Sequence, residues 1–221
     1  MMKQFLLSLT MLVALAATTQ ATAQAVAAAA PATAAAVKPD AVLMETTEHM
    51  RDMIRQNHTA YEADKGKFYG VVDEVLVPRF DVRYIAQLTL GKNWRTASEA
   101  QRTRFQAAFK NSLIRTYADA LLANYDSVDA KYEPLRMAAD ATDVTVRVSL
   151  MRKKGEPVGL AFAMREVDND WKIYDVIIEN LSLVTNFRSQ FSAEIKKNGL
   201  DALINKMESG SYFKQNPPKA S

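Results

Sequence analysis

Asp175 is the residue best placed for acid–base chemistry, because it lies within an otherwise apolar segment, Trp171-Lys172-Ile173-Tyr174-Asp175-Val176. A carboxyl group buried in such a segment either acts as a general acid or base in a cavity or pairs with a cation. Neighbouring residues of a strand point to opposite faces, so Tyr174 and Asp175 cannot serve one cavity together as oxyanion donor and base. The sequence therefore favours an ion pair between Asp175 and a nearby arginine such as Arg188.

The other residue types that do chemistry form no catalytic or metal-binding pattern. The chain has no Cys, which excludes disulfides, thiolate metal ligands and a cysteine nucleophile. Its two histidines, His49 and His58, are not at the spacing of about three or four residues that places two ligands on one helical face. GxSxG, GxGxxG and glycine-rich phosphate-loop motifs do not occur in the sequence. We predict no catalytic residue, no metal site and no cofactor.

The composition is that of an ordinary globular domain. The chain contains 28 Lys and Arg against 25 Asp and Glu, a formal net charge of +3. This excess is too small to indicate a nucleic-acid partner, whose basic residues would also have to cluster on one face. Arg152, Lys153 and Lys154 are expected to form a solvated hairpin turn, with an anionic membrane surface or an acidic partner as the alternative.

The first residues of the chain predict export. Lys3, an apolar stretch over residues 5–17 and the small-residue pattern Ala21-Thr22-Ala23 predict a cleaved signal peptide over residues 1–23. The apolar stretch is about 13 residues long, short of the roughly 20 that a membrane-spanning helix needs. Residues 24–39, rich in Ala, Pro and Thr, predict a disordered spacer. We expect a single domain over residues 40–210 and a flexible tail over residues 211–221.

The apolar periodicity predicts helices in the first part of this domain. A helix begins near Asp40, and two shorter helices over residues 68–77 and 81–90 are divided by Pro78. Ser98, with Gln101 three residues later, is a capping-box pattern that begins a long helix. Along this helix an apolar or aromatic residue recurs every fourth position and turns around the axis by about 40° per step. These residues are Phe105, Phe109, Leu113, Tyr117 and Leu121.

After Tyr125 the apolar period shortens to about 2, which predicts strands. Alternating residues over 144–150, 158–164 and 171–178, with a weaker strand over 132–137, predict a four-stranded antiparallel meander. Two further helices follow, the first ending near Gly199. The fold class is therefore α+β, with helices gathered on one face of the sheet.

Two stretches resemble the MlaC (toluene-tolerance, Ttg2-type) family of periplasmic phospholipid-binding proteins. The first runs from Phe80-Asp81-Val82 through Leu90-Gly91-Lys92-Asn93-Trp94-Arg95 into the long helix. The second begins at Trp171 and continues through Ile178-Glu179-Asn180-Leu181-Ser182-Leu183-Val184 to Phe191. The family usually has Gly where this chain has Asn180. Because Asn is the next best residue at positive φ, we expect the turn to be kept.

The resemblance implies a curved, cystatin-like sheet packed against several helices and enclosing an apolar pocket for phospholipid acyl chains. It also implies a soluble periplasmic carrier that shuttles phospholipid between the outer and inner membranes and maintains outer-membrane lipid asymmetry. The phospholipid would be cargo, and no cofactor or catalysis is implied. The implied partners, contacted transiently, are an inner-membrane ABC transporter complex and an outer-membrane lipoprotein–porin complex. Composition and hydropathy predict no nucleic-acid partner and no membrane span.

We place the acyl-chain contacts on apolar residues that face the space between the predicted sheet and the long helix. The helical candidates are Leu90, Trp94, Phe105, Phe109, Leu113 and Tyr117. The strand candidates are Val144, Val146, Val148, Leu160, Phe162, Met164, Tyr174, Val176 and Ile178. For each of them packed core is an equally good interpretation, because sequence does not distinguish the wall of a pocket from a filled interior.

Two other functions fit the sequence. A small isomerase or cyclase with a cavity on a similar curved sheet would show pH-dependent turnover and a titrating carboxylate that faces the pocket. An exported chaperone or binding module would have a groove open along its surface and would hold no lipid tightly.

Overall fold

The computed structural model describes residues 38–153 and 155–215. The predicted signal peptide and most of the predicted spacer lie outside the described residues, as do Lys154 and residues 216–221. Within the described part, no helix is both long and apolar enough to cross a membrane.

The described residues form helices first, then a sheet, then helices, which confirms the α+β class. The helices are α1 (Pro39–Ala63), α2 (Lys65–Val75), α3 (Val82–Leu90), α4 (Lys92–Thr96), α5 (Glu99–Asn124), α6 (Leu183–Asn198), α7 (Leu200–Glu208) and α8 (Ser211–Gln215), with a 3₁₀ turn at Val77–Arg79. The strands are β1 (Val128–Tyr132), β2 (Asp143–Arg152), β3 (Val158–Val167), β4 (Asp170–Ile178) and β5 (Leu181–Ser182).

Local sequence signals set the ends of the helices. The predicted capping box of α5 is confirmed: the Ser98 hydroxyl accepts the Gln101 N–H at 3.1 Å, and the Gln101 side chain accepts the Ser98 N–H at 3.0 Å. Asp81 caps α3 by accepting the Tyr84 N–H at 3.0 Å. Gly91 ends α3 at a φ of 54°, a conformation that glycine adopts without strain.

The sheet is an antiparallel meander in the order β1-β2-β3-β4-β5. The prediction of four strands is wrong because β5, which pairs with Ile177 and Ile178, has only two residues and therefore shows no alternation in the sequence. The first strand also lies earlier than the predicted range of 132–137. It spans Val128–Tyr132 and pairs with the far end of β2.

Two tight turns connect the last three strands. Asp168 and Asn169 join β3 to β4, and Glu179 and Asn180 join β4 to β5. All four residues have positive φ, between 49° and 67°. Two central residues at positive φ are the conformation that hairpins of two residues favour. The positive φ expected at Asn180 is confirmed, at 67°.

A β-bulge in β4 breaks the alternation that the sequence predicted there. Asp175 pairs with Ala163 whereas Ile173 pairs with Met164, so Tyr174 is an extra residue opposite β3. The Tyr174 ring packs edge-on against Tyr84 of α3, with 5.6 Å between the ring centroids. Simple alternation predicts that Tyr174 has the same surroundings as Val176 and Ile178. Because of the bulge, it does not.

The buried side chains of residues 38–153 and 155–215 form three apolar clusters. The carboxy-terminal cluster joins α3, α5, α6, α7 and α8 and contains Phe105, Phe109, Phe187, Phe191 and Met207. The α1–α2 cluster joins these two helices to the second half of α5 and contains Ile54, Phe68, Ile114, Ala118 and Leu122. The sheet cluster contains Leu43 of α1 with Val146, Val148, Met164, Trp171 and Ile173.

Two described helices reach the residues next to the range 40–210 expected for the domain. Pro39 is buried at the start of α1, where its missing N–H costs no hydrogen bond. At the other end of the range, Ser211–Gln215 form α8. The Tyr212 ring is 2% exposed and lies 5.5 Å from the Phe191 ring, between centroids. These aromatic contacts fix the helix in the carboxy-terminal cluster.

We expect the substitution Asn180→Ala to lower the free energy of unfolding by about 1 kcal/mol, because alanine is strained at positive φ and lacks the short polar side chain that favours it. Asn180→Gly is the matched control and should cause no loss, since glycine adopts positive φ freely. Urea unfolding followed by circular dichroism measures both variants. Equal losses would show that the Asn180 side chain, not its backbone conformation, holds the turn.

Candidate functional site

A cavity of about 450 Å³ lies where the three apolar clusters meet. The carboxy-terminal cluster lines it with Ile85, Phe109, Leu113, Leu183 and Phe187, and the α1–α2 cluster with Val72, Leu76, Val77, Ile114, Ala118 and Leu121. The sheet cluster contributes Phe80, Leu160, Phe162 and Val176. The remaining lining residues are Val82, Lys110, Tyr117, Asp175, Ile178 and Val184.

The walls of this cavity are almost entirely apolar, since only Lys110 and Asp175 of the described lining residues carry charge. The volume falls within the range of about 300–1,000 Å³ that ligand pockets occupy. Such walls contact hydrocarbon well and offer few hydrogen bonds to a polar ligand.

Helix α5 supplies one wall because of the drift of its apolar row. Phe109 is buried against α6 and lines the inner end of the cavity, and Leu113, Tyr117 and Leu121, farther along the row, are half-buried and line the rest of this wall. Burial raises the pKa of the Tyr117 phenol above its usual value. The phenol is therefore neutral at physiological pH and adds no charge to the wall.

Asp175 binds the start of α6 and does not form the predicted ion pair with Arg188. One carboxylate oxygen accepts the Ser182 hydroxyl, and the other accepts the Val184 N–H at 3.0 Å. Arg188 is exposed and lies beside Gly91. A Cβ atom added to Gly91 would lie 2.9 Å from the Nε atom of Arg188. A free N–H group in the first turn of α6 binds the carboxylate in place of an arginine. The sequence did not reveal this donor, because every residue except proline carries a backbone N–H.

Lys110 is the second charged residue of the lining and is also paired. Its Nζ atom lies 2.7 Å from both carboxylate oxygens of Asp73 in α2. The Lys110 side chain is 25% exposed and that of Asp73 is 43% exposed, so the pair lies at the rim of the cavity.

The structure divides the predicted acyl-chain contacts into wall and packed interior. The predicted residues that line the cavity are Phe109, Leu113, Tyr117, Leu160, Phe162, Val176 and Ile178. The predicted residues that lie elsewhere are Leu90, Trp94 and Phe105 in the carboxy-terminal cluster, Val144, Val146, Val148 and Met164 in the sheet cluster, and Tyr174 against Tyr84. Leu43 of α1 packs into the sheet cluster, and α1 contacts β2.

Sequence reasoning missed wall residues in the very stretches that carry the family resemblance. Phe80, Val82 and Ile85 lie in the first stretch. Leu183, Val184 and Phe187 lie in the second. Their apolar character within those two stretches was the signal that could have identified them. Helix α2 and its end, which contribute Val72, Leu76 and Val77, carried no such signal.

The histidines lie away from the cavity lining. The Nε2 atom of His58 is 3.9 Å from a carboxylate oxygen of Glu62, and its ring centroid is 5.2 Å from that of Tyr125. Over residues 38–153 and 155–215, no group of three or more His, Asp or Glu side chains could hold a metal ion.

Comparisons with known proteins agree on one family. The sequence model of the MlaC protein family matches residues 44–209. The toluene tolerance protein ttg2D of Pseudomonas putida is 27% identical over 168 residues, which cover 76% of this chain and 77% of that protein. The intermembrane phospholipid transport system binding protein MlaC of Haemophilus influenzae is 24% identical over 177 residues, 79% of this chain and 82% of that protein.

One solved structure is similar in both fold and sequence. It is the phospholipid-binding protein from Ralstonia solanacearum in complex with a phospholipid. The TM-score is 0.72 at 32% sequence identity, over 79% of this chain and 97% of the Ralstonia chain.

A matched pair of leucines in α5 tests the division into wall and interior. Leu122 is fully buried in the α1–α2 cluster, and we expect Leu122→Ala to lower the free energy of unfolding by about 3 kcal/mol. Leu113→Ala, measured in lipid-free protein, should cost about 1 kcal/mol, because part of this side chain faces the cavity and has no packed neighbour there. Equal losses in urea unfolding would place Leu113 in packed core.

Proposed function

The chain belongs to the MlaC family, and from this premise we propose that it is a phospholipid carrier that holds acyl chains in the cavity between α5 and the sheet. The observation that carries the proposal is the apolar lining at the meeting point of the three clusters. The Ralstonia solanacearum protein, solved in complex with a phospholipid, supports it.

The size of the cavity makes a hydrocarbon occupant favourable for the fold itself. Apolar walls that face an empty space lack the contacts that packed neighbours would give them, and this lowers the stability of the fold. Hydrocarbon in the cavity restores the missing dispersion contacts without requiring any hydrogen bond.

The free energy of exposing hydrocarbon to water explains why a phospholipid needs a carrier. Two acyl chains expose on the order of 30 methylenes, and at ~0.8 kcal/mol each their passage through water costs about 24 kcal/mol. A protein that covers only the chains removes this cost and leaves the charged headgroup in a polar environment. The proposed chain contacts are the predicted residues that line the cavity, together with Ile85, Ile114, Leu121 and Leu183.

The proposed place of action is the periplasm, after cleavage of the signal peptide predicted over residues 1–23. The proposed partners are an inner-membrane ABC transporter complex and an outer-membrane lipoprotein–porin complex. The naming of the Haemophilus influenzae relative as part of an intermembrane phospholipid transport system supports this assignment. A ligand shifts a conformation only through differential affinity, so release requires a partner that binds the open form or the lipid more tightly.

We propose no catalytic step in this cavity. The isomerase or cyclase alternative required a carboxylate that exchanges protons with a substrate, and Asp175 is the candidate that lines the cavity. Both of its oxygens accept hydrogen bonds from Ser182 and Val184. This arrangement supports a structural role, because removal of either bond would free a donor at the start of α6.

Extraction of the purified chain tests the proposal. The protein is prepared from the periplasm of a bacterial host and extracted with organic solvent, and the lipids are identified by mass spectrometry. We expect about one diacyl phospholipid per protein and a loss of thermal stability when the lipid is removed, because bound ligand stabilises the folded state. A chain that carries no lipid, and whose stability is unchanged by added phospholipid, would refute the carrier function.

Filling the cavity should remove the cargo. Leu113→Trp adds an aromatic side chain to the wall, and we expect it to lower the lipid-to-protein ratio several-fold while the domain stays folded. Met151→Trp is the matched control, since Met151 is 42% exposed and does not line the cavity. Retention of full lipid content by a folded Leu113→Trp variant would contradict the proposed location of the acyl chains.

A further inference from the structure

The ion pair at the rim lies between the cavity and a second, polar hollow. This hollow has a volume of about 240 Å³ and is lined by Tyr69, Gly70, Asp73, Asn111, Ile114 and Arg115. Ile114 lines both spaces, and Asp73 in the hollow binds Lys110 in the cavity wall. The Lys110–Asp73 ion pair therefore separates the apolar walls of the cavity from a hollow that carries the Asn111 amide, the Asp73 carboxylate and the Arg115 guanidinium.

We propose that this hollow binds the headgroup of the cargo phospholipid, and that it favours a zwitterionic headgroup that carries an ammonium group. The Lys110 ammonium binds the phosphate at the rim, and the Asp73 carboxylate binds the headgroup ammonium. The inference rests on the proposed carrier function, because it requires the acyl chains to lie in the adjoining cavity.

The order of groups along the surface matches the order of groups in such a lipid. Hydrocarbon is followed by the phosphate anion and then by the amine cation. Along the protein, the apolar wall is followed by Lys110 and then by Asp73. Opposite charges attract each other and fix the orientation of the ligand, so the ion pair acts as a template for a zwitterion.

The other charged end of the cavity does not suit a phosphate. Asp175 is an anion and would repel it, and its two oxygens already accept hydrogen bonds. Lys110 is the one cation among the described lining residues of the cavity. Arg115 provides a second cation in the hollow, about one and a half helical turns farther along α5.

Exchange of the protein ion pair for two lipid contacts is inexpensive. The side chains of Lys110 and Asp73 are partly exposed, and ion pairs in such positions contribute little net stability. Tyr69 keeps its own bond throughout, because its hydroxyl donates to Asp119 at 3.1 Å outside the hollow lining. The hollow can therefore open its ion pair without disturbing the helices that carry it.

Two variants test the template. Lys110→Met keeps the length of the side chain and removes its charge, and Asp73→Asn keeps the shape of its side chain and removes its charge. Lys206→Met is the matched control, since Lys206 pairs with Glu194 at 2.6 Å between α6 and α7, away from the cavity lining. Each purified chain is exchanged against vesicles that contain equal amounts of phosphatidylethanolamine and phosphatidylglycerol, and the bound lipid is analysed by mass spectrometry.

We expect the natural chain and Lys206→Met to select phosphatidylethanolamine and Asp73→Asn to lose about tenfold of that preference, the equivalent of one hydrogen bond between charged groups. Lys110→Met should bind less of both lipids. If the natural chain and Asp73→Asn carry the same mixture, the headgroup inference is overturned while the carrier function stands. If none of the chains binds lipid, the carrier function fails as well.

Competition with inorganic phosphate tests whether the hollow binds free anions instead of lipid headgroups. We expect phosphate to compete with lipid only weakly, because it lacks both the acyl chains and the ammonium group. Displacement of bound lipid by inorganic phosphate at comparable concentration would assign the hollow to free anions and overturn the inference. Should Lys110→Met fail to fold in thermal denaturation, the lipid preference of Asp73→Asn alone decides the outcome.

Discussion

The apolar row of α5 cannot be covered by a single partner, because it turns about 40° with every fourth residue. Its first members, Phe105 and Phe109, pack with Phe187 and Phe191, with ring centroids 5.2–5.6 Å apart. Its later members approach α2, where Ile114 and its neighbours join a different cluster. Between these two contacts the row faces the sheet across a gap. The cavity is thus a consequence of helix geometry combined with partners on different sides.

The rest of the molecule keeps this gap from collapsing. The Asp81 N–H donates to the Ile173 carbonyl at 2.9 Å, and the Arg165 guanidinium lies 4.4 Å from the centroid of the Tyr84 ring, which together fix α3 against the sheet. Asp175, two residues after Ile173 in β4, fixes the start of α6 to the same strand. Cavities close only when their walls can relax toward each other. Two helices fixed to β4 by polar bonds therefore limit the relaxation that would close the apolar space.

Sequence reasoning succeeded where the structure depends on signals within short segments. It failed where the structure depends on which distant element packs against the sheet. The capping box at Ser98, the drift of the α5 row and the positive φ of Asn180 are properties of short segments, and they were predicted. Alternation correctly identified the apolar residues of β2 and β3, yet Val146 is core and Phe162 is wall. Helix α1, which carries Leu43 more than 100 residues earlier in the chain, packs against β2. Periodicity within a strand contains no information about such a distant partner.

An occupant that stabilises the fold also limits how it can leave. Moving hydrocarbon from the cavity into water would forfeit both the wall contacts and the hydrophobic free energy, so spontaneous release is slow. Moving it into another apolar environment forfeits only the wall contacts, which a partner can replace by binding the emptied form more tightly. A receiving protein must therefore present an apolar path at the mouth of the cavity before the lipid departs. Since the Lys110–Asp73 pair lies at the rim, the headgroup would be the first part of the lipid that such a partner meets.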